Sequence, residues 1–379
     1  MLPAPTGEFA VGRLCLDVVD PSRRERYSDN PDDRRELVLW LWYPAPSDGT
    51  VARAEYLPTP WTPVTDFLGI DVDDNRANAV ADAPIAAEKP SYPVLILSPS
   101  GFPPLLLTAI AEELASTGYV VVGVNHTYET AVTVFTDGRT VPMNPAAIAG
   151  ALGPQVGPHE PVFRQRAAVC DYKAADLRSV ADCLERLEPG PTGLSRDRLD
   201  FGRLGAFGHS FGGNAALEWC RTDPRCRAAA NLDGAIWTEV GTVGLQRPAL
   251  QLLAEHPEFA MSGEQAVAAG MTSAASWYEA EKTLTFGGWR TIHDLGQPAV
   301  TVQIAGATHM SFMDVPFLPL REESPVKGML AATTIDPLRM WRITSDLLRS
   351  FFARHLDGVD STAVDQVAAD YPEIVLGPP

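Results

Sequence analysis

One serine of the chain lies in a sequence pattern that can build a catalytic nucleophile. Ser210 is the central residue of GHSFG (208–212), and the apolar run at 204–207 comes directly before it. When a G-x-S-x-G pattern lies between a strand and a helix, the serine occupies a sharp turn and its hydroxyl protrudes from the sheet edge. The glycines permit this turn because side chains at their positions would collide. We therefore predict that Ser210 is a nucleophile; the alternative is an unreactive serine in a glycine-rich turn.

A serine hydroxyl attacks a carbonyl only when a neighbouring base takes its proton, and a carboxylate orients that base. In chains with this type of elbow, the carboxylate and then the histidine follow the serine in sequence. Asp233, in NLDG (231–234), fits because it ends the apolar segment that follows the predicted helix of the serine. The alternative is that Asp233 only caps a turn or a helix.

His309 is the histidine that best fits the role of base. Among the seven histidines, it lies downstream of the predicted carboxylate and just beyond the strongly apolar segment AVTVQIAG. His209 belongs to the elbow itself, where its side chain should point away from the serine. His256 and His293 are weaker candidates. An imidazole that is neutral near physiological pH can accept the serine proton, so we predict His309 as the base.

The oxyanion of a tetrahedral intermediate is stabilised by two backbone N–H groups. We predict the first at Phe211, the residue that follows the nucleophile. The second is predicted at Phe102, with Gly101 as the alternative, because SPSGFPP (98–104) forms a turn after another apolar segment. The same stretch is also typical of an ordinary turn that leads into a helix.

Short apolar segments alternate with helix-like segments, which predicts an α/β fold with a mostly parallel central sheet and helices on both faces. The segments are a hairpin at 9–20 and 34–45, strands at 93–98, 119–126, 203–207, 226–234, 248–254 and 299–306, and helices at 104–119, 165–187, 212–221 and 336–356. Residues 46–90 are predicted as loop with one short helix, and 142–161 as loop. We predict a single domain over 1–379.

The segment 255–297 separates two of the predicted strands and is rich in methionine and aromatic residues. Both of its ends are anchored near the sheet, so it can fold over the catalytic edge as a lid or a pocket wall. Trp277 and Trp289 are its candidates for contact with a substrate. The alternative is a helical hairpin that packs elsewhere on the surface.

Composition excludes several functional classes. The formal net charge of −18 opposes binding to nucleic acid or to an anionic membrane. The N-terminus has no signal-peptide pattern, and we predict a cytoplasmic protein without membrane insertion. The five cysteines form no metal-binding pattern, although Cys220 and Cys226 could pair in an exported protein. Nucleotide-binding glycine motifs are absent, and no metal or cofactor is predicted.

Several stretches together resemble the α/β-hydrolases of the platelet-activating-factor acetylhydrolase (isoform II) type, and more distantly polyester and dienelactone hydrolases. The resemblance is carried by RRELVLWLWYPA, LASTGYVVVGVNH, GHSFGGNAA, NLDGAIW and HMSFMD, between about residues 7 and 355. It implies Ser210, Asp233 and His309 as the catalytic triad and the Gly101-Phe102 turn as an oxyanion donor. The chain departs from the family in having SPSG where the family has SHG, and in the separation of 76 residues between Asp233 and His309.

The predicted function is therefore a serine esterase that cleaves a small or medium-sized carboxylic ester through an acyl-enzyme. A second hypothesis is acyl transfer or cyclisation in a biosynthetic pathway by the same three residues. It differs from the first only in that the pocket would exclude water from the acyl-enzyme. A third is a non-catalytic binding protein with a hydrolase fold. The complete set of serine, carboxylate and histidine argues against the third, since binding alone does not require it. The predicted partner is a small-molecule ester, and the sequence leaves the oligomeric state open.

Overall fold

The computed structural model describes residues 1–47, 52–58, 61–71, 76–152, 158–296, 298–359 and 364–379. Within these residues, eleven strands form one large sheet and two short strands form a second. The strands are β1 (Ala10–Arg24), β2 (Arg34–Ala45), β3 (Arg53–Glu55), β4 (Arg76–Ala81), β5 (Tyr92–Ser98), β6 (Val120–His126), β7 (Val132–Val134), β8 (Thr140–Pro142), β9 (Leu199–His209), β10 (Cys226–Leu232), β11 (Ala249–Ala254), β12 (Ala299–Ile304) and β13 (Ile374–Leu376). The helices are α1 (Thr62–Leu68), α2 (Thr108–Ser116), α3 (Pro145–Leu152), α4 (Glu160–Leu184), α5 (Phe211–Thr222), α6 (Val240–Val243), α7 (Gly263–Ala268), α8 (Ala275–Leu295), α9 (Pro325–Leu330), α10 (Pro337–His355) and α11 (Val364–Ala369).

The middle of the large sheet is parallel, as predicted. Its strand order is β13-β12-β11-β10-β9-β5-β6-β2-β1-β4-β3, and the strands from β12 to β6 pair in parallel. The predicted hairpin of β1 and β2 is antiparallel and joins the parallel strands through β2 and β6. In parallel strands all carboxyl ends meet at one edge, so the residues that follow β5, β9, β10, β11 and β12 lie along the same edge of the sheet.

Helices cover both faces of this sheet. Strand β5 shows the alternation: Leu95 and Leu97 pack into a core with α2 and α10, whereas Val94 and Ile96 pack into a second core with α4, α5 and α8. All four side chains are fully buried. Burial of such a side chain contributes about 1.5–3 kcal/mol relative to exposure. The strand is therefore firmly held from both sides, and it fixes where the turn after Ser98 begins.

Three regions contain more regular structure than predicted. In 46–90 the one short helix is present as α1, and β3 and β4 additionally extend the sheet edge. In 142–161 helix α3 replaces part of the predicted loop, and β13 adds a strand near the C-terminus. These elements are short, and β4 (RANAVA) is rich in alanine, which has low β-propensity. Pairing with a neighbouring strand decides the conformation of β3, β4 and β13, and no local sequence pattern indicates it.

Most of the segment 255–297 is occupied by α7 and α8; Gln297 lies outside the described residues. Helix α8 connects the parallel strands β11 and β12 and packs against both. Parallel neighbours require a crossover connection of this kind. Trp289 and Ile292 of α8 belong to the core that faces the sheet. Coverage of the catalytic edge by this segment stays a prediction.

Cys220 and Cys226 form a disulfide that joins the end of α5 to the start of β10. The sequence had left this pairing open because it depended on the compartment. Disulfides persist mainly in oxidising compartments, so this bond does not favour the predicted cytoplasmic location. The location stays a prediction. Among the described helices, none combines the length and apolar character required to cross a bilayer.

Candidate active site

Ser210 occupies the sharp turn between β9 and α5. Its backbone angles, φ 59° and ψ −127°, lie in a region that residues with a side chain rarely adopt. The glycines around it allow close backbone approach: a Cβ on Gly208 would lie 2.3 Å from the carbonyl oxygen of Gly212, and a Cβ on Gly212 would lie 1.9 Å from that of Ser98. The residue thus has the strained geometry of a nucleophile elbow at the amino end of a helix, where negative charge is favoured.

Asp233 directly follows β10, and its side chain is fully buried. Ser210 N–H donates to the carbonyl oxygen of Leu232 at 2.9 Å, which brings the end of β10 against the elbow. Burial acts to raise the pKa of Asp233, but the neighbouring His256 and His309 bring that pKa well below its ordinary value. The carboxyl group is therefore an ionised acceptor beside the elbow.

His309 lies in a short 3₁₀ turn after β12, and its side chain is 43% exposed. Its Nδ1 lies 2.7 Å from an Asp233 carboxylate oxygen. An ionised carboxylate only accepts hydrogen bonds, so Nδ1 carries the proton and Nε2 is left as a base. His209, the residue before Ser210, has its Nε2 2.8 Å from the carbonyl oxygen of His309. These contacts bring the three predicted residues to one edge of the sheet; we call Ser210, His309 and Asp233 the candidate triad.

The turn that carries Phe102 lies against the elbow, as the close approach of Ser98 to Gly212 requires. The carbonyl oxygen of Gly101 accepts a hydrogen bond from Ala131 N–H at 2.9 Å, which fixes the turn from its other side. Phe102 is half-buried and packs against the core. Phe211 is the first residue of α5, directly after Ser210. The two predicted oxyanion donors therefore belong to segments that meet at the elbow.

A row of aromatic rings leads away from the elbow. Phe211 stacks on Trp237 with ring centroids 6.5 Å apart and an interplanar angle of 16°. Phe163 lies 5.2 Å from Trp237 and 5.9 Å from Trp277. Trp237 and Phe163 are partly exposed, whereas Trp277 is 2% exposed and forms the buried end of the row. Trp289 is separate from these rings: it is 1% exposed and donates its Nε1–H to the carbonyl oxygen of Gly234 at 2.9 Å.

The whole chain resembles known esterases. It matches a solved structure described as a ferulic acid esterase from Streptomyces cinnamoneus with a TM-score of 0.74 and 30% identity, covering 99% of this chain and 98% of that one. The chain belongs to the α/β-hydrolase esterases. It is also 26% identical over 413 residues to a protein of Arthroderma benhamiae named a probable 1-alkyl-2-acetylglycerophosphocholine esterase, covering 99% of this chain and 93% of that protein. No protein-family model matches the chain.

These matches confirm the predicted resemblance to the platelet-activating-factor acetylhydrolase type and the predicted fold class. This α/β-hydrolase is accordingly a carboxylic ester hydrolase, the enzyme class that the sequence predicted. The mostly parallel sheet with helices on both faces agrees with this fold class.

Sequence reasoning missed one contact of this hydrolase's site, because it treated His256 only as a weaker candidate for the base. In the structure His256 Nε2 lies 2.9 Å from the second carboxylate oxygen of Asp233. A signal was present: His256 lies just after β11, which is the neighbour of β10. Residues at the carboxyl ends of adjacent parallel strands lie close together, and Asp233 follows β10.

The hydrolase also contains a second set of serine, histidine and aspartate. Ser98 Oγ lies 2.9 Å from His126 Nε2, and His126 Nδ1 lies 2.8 Å from a carboxylate oxygen of Asp176. We call Ser98, His126 and Asp176 the buried triad, because each of these side chains is inaccessible to solvent. Arg35, equally buried, donates to both carboxylate oxygens of Asp176 at 3.0 and 2.6 Å.

Glu129 extends this cluster, and its carboxylate, that of Asp176 and a ring nitrogen of His126 lie within 4.8 Å of one another. These donors fit a metal ion poorly because Arg35 already pairs with both carboxylates, at 2.6 and 3.3 Å. The two ring nitrogens of His126 are also engaged. Lys173 lies in the same buried region and donates to the carbonyl oxygen of Ser100 at 3.2 Å. The cluster therefore supports the turn that carries Phe102.

Proposed function

We propose that this protein is a serine hydrolase that cleaves carboxylic esters through an acyl-enzyme, with the candidate triad as its catalytic residues. The hydrogen bond of 2.7 Å between His309 Nδ1 and Asp233, formed beside the strained elbow of Ser210, carries the proposal. Two further hydrogen bonds support it, because they hold Asp233 and His309 near the elbow. Ser210 N–H donates to the carbonyl oxygen of Leu232, and His209 bonds the backbone carbonyl of His309.

In the proposed reaction, Ser210 Oγ attacks the ester carbonyl carbon while Nε2 of His309 takes the hydroxyl proton. Asp233 stabilises the imidazolium that forms and stays ionised. The backbone N–H groups of Phe211 and Phe102 donate to the oxyanion of the tetrahedral intermediate. His309 then protonates the leaving alcohol as the C–O bond breaks. In the second half, a water oxygen attacks the acyl carbon while His309 takes one of its protons. The bond between Ser210 Oγ and the acyl carbon then breaks, His309 returns the proton to Oγ, and the acid leaves.

For the substrate, we infer that a flat apolar group of the ester lies along Trp237. This ring stacks on Phe211 and has the guanidinium of Arg166 over it, 4.7 Å from the centroid, but it is partly exposed, so its exposed part is open to a ligand. One relative is described as a ferulic acid esterase, and another is named a probable 1-alkyl-2-acetylglycerophosphocholine esterase. The aromatic row favours an aromatic or other extended apolar group over a bare acetyl ester.

Covalent labelling tests the mechanism. The purified protein is incubated with a fluorophosphonate, and its intact mass and modified peptide are determined by mass spectrometry. We expect one adduct on Ser210 and, in parallel, hydrolysis of a panel of p-nitrophenyl esters. Ser210→Ala is the control and should neither label nor hydrolyse. Hydrolysis by a pure Ser210→Ala preparation, or an adduct on another residue, would contradict the mechanism.

A pair of tryptophan variants tests the substrate class. Burial of one tryptophan side chain against a ligand is worth about 1.5–3 kcal/mol, so Trp237→Ala should lower kcat/KM for methyl ferulate about 10- to 150-fold. The value for methyl acetate should change much less. Trp289→Ala is the matched control because that ring is buried: it should lower the melting temperature and leave the ratio of the two substrates unchanged. An unchanged ratio in Trp237→Ala would remove Trp237 from the substrate site.

A further inference from the structure

The carboxylate of Asp233 contacts more than the histidine of the candidate triad. One oxygen, Oδ2, accepts from His309 Nδ1 at 2.7 Å. The other, Oδ1, accepts from the backbone N–H of Ala254 at 2.8 Å and lies 2.9 Å from Nε2 of His256. Because an ionised carboxylate only accepts hydrogen bonds, Nε2 of His256 carries a proton and donates it. Each oxygen of this fully buried carboxylate is thus bonded to an imidazole.

Aromatic neighbours hold the ring of His256 in place. It stacks on Phe259 with ring centroids 5.2 Å apart and an interplanar angle of 28°, and it lies 5.4 Å from Trp289. Trp289 is itself tied to the carbonyl oxygen of Gly234, the residue after Asp233. The imidazole therefore lies between two rings with its Nε2 directed at the carboxylate. Such packing restricts the ring to one orientation before any substrate binds.

We infer that His256 is a positioning residue of the esterase site, which fixes the rotation of the Asp233 carboxylate so that Oδ2 stays aligned with His309. The inference rests on the proposed function. Rotation about the terminal bond of an aspartate is soft, and a hydrogen bond to Oδ1 restricts it. His309 becomes a cation as it takes the serine proton, so the alignment of Oδ2 matters more in the transition state than in the free enzyme.

The two histidines of Asp233 have different roles because they use different ring nitrogens. His309 bonds the carboxylate through Nδ1, which leaves Nε2 for the nucleophile, and its backbone is tied to the elbow. His256 uses Nε2 for the carboxylate, and its side chain is only 16% exposed, against 43% for His309. His256 therefore acts on the reaction through Asp233.

Two substitutions separate the hydrogen bond of His256 from its packing. His256→Phe keeps an aromatic ring between Phe259 and Trp289 and removes the N–H. His256→Gln loses the ring but can place an amide N–H near the position of Nε2. We expect His256→Phe to lower kcat about 10- to 100-fold, the size of one hydrogen bond to a charged group, with KM nearly unchanged. His256→Gln should recover a large part of that loss although its packing is poorer.

The readouts are kcat and KM on p-nitrophenyl esters and the melting temperature of each variant. Two results would overturn the positioning role. One is full activity of His256→Phe. The other is an equal loss of kcat in both variants that is explained by their lowered melting temperatures. Fluorophosphonate labelling could also be lost in His256→Phe as completely as in His309→Ala. That result would make His256 the base and would overturn the positioning role. Ser210→Ala is measured in parallel: activity in that variant refutes the proposed function, whereas an inactive Ser210→Ala beside a fully active His256→Phe refutes this inference alone.

Discussion

The candidate triad and the buried triad contain the same three residue types, and in both of them Nδ1 of the histidine bonds an aspartate, at 2.7 and 2.8 Å. Their backbones and their access to solvent differ. Ser210 lies in a strained turn with φ 59°, whereas Ser98 is the last residue of β5 and its side chain is inaccessible. His309 exposes 43% of its side chain, and His126 exposes none. The histidine of the candidate triad is thus open to solvent, whereas all three side chains of the buried triad are closed to it.

Electrostatics separates the two sets as well. Burial acts to raise the pKa of Asp176, but Arg35 holds this pKa far below its ordinary value. Burial, assisted by the charge of Lys173, lowers the pKa of His126 to about 3. Arg35 also bonds Glu25 and Glu129, so the buried triad belongs to a buried ion network. The comparison teaches that two sets of identical side chains can differ in backbone and access, and that only the candidate triad is presented at an accessible edge, where catalysis requires it.

The largest expected effect distinguishes the two serines. Ser210→Ala should lower kcat about 10⁴-fold or more, since the nucleophile is lost. Ser98→Ala should keep turnover within about tenfold, because its hydroxyl is hydrogen-bonded to the buried His126 and is closed to substrate. Steady-state kinetics on p-nitrophenyl acetate, with circular dichroism to check folding, provides the measurement. A Ser98→Ala variant as inactive as Ser210→Ala would mean that the buried triad takes part in the reaction.

Substitution of the two aspartates should affect different properties: turnover for Asp233 and stability for Asp176. Asp233→Asn should lower kcat about 10⁴-fold in a chain that still folds, because the base loses its orientation. Asp176→Ala leaves the buried Arg35 without its principal partner, and such a loss costs about 3–5 kcal/mol in the free energy of unfolding. Urea unfolding and kcat are measured on both variants. An Asp176→Ala variant as stable as the parent would contradict the structural role of the network.

The smallest effect is a pH dependence of stability. The pKa of His126 is about 3 in the folded chain and about 6.5 in an unfolded one. As pH falls below about 6.5, the unfolded chain binds a proton that the folded chain does not, so the free energy of unfolding decreases until about pH 3. His126→Gln should reduce this slope by up to about 1.4 kcal/mol per pH unit between pH 6 and 4.

Urea unfolding at several pH values measures the slope in the parent and in the variant. His209, whose pKa burial also lowers to about 3, contributes equally to both and cancels in the difference. Equal slopes in the two proteins would show that His126 is not kept neutral by its surroundings.

The sequence by itself determined the parts of this protein that depend on local pattern. The glycines around Ser210, the alternation of apolar and helical segments, and the positions of Asp233 and His309 after apolar strands were all readable along the chain. Their proximity followed from one rule, that parallel strands bring their carboxyl ends to one edge. The short strands β3, β4 and β13 were not readable, since their conformation depends on pairing with a partner.

Only the tertiary structure decided which polar side chains meet inside the molecule. Arg35 and Asp176 are 141 residues apart, and no pattern along the chain links the two. The contact of His256 with Asp233 likewise joins residues on two different strand ends, and the row from Phe211 to Trp277 combines three helices and a loop. A single buried carboxylate is unfavourable alone and becomes stable only when its donors arrive from distant segments. Such contacts leave no local pattern, because the free energy that selects them exists only in the packed fold.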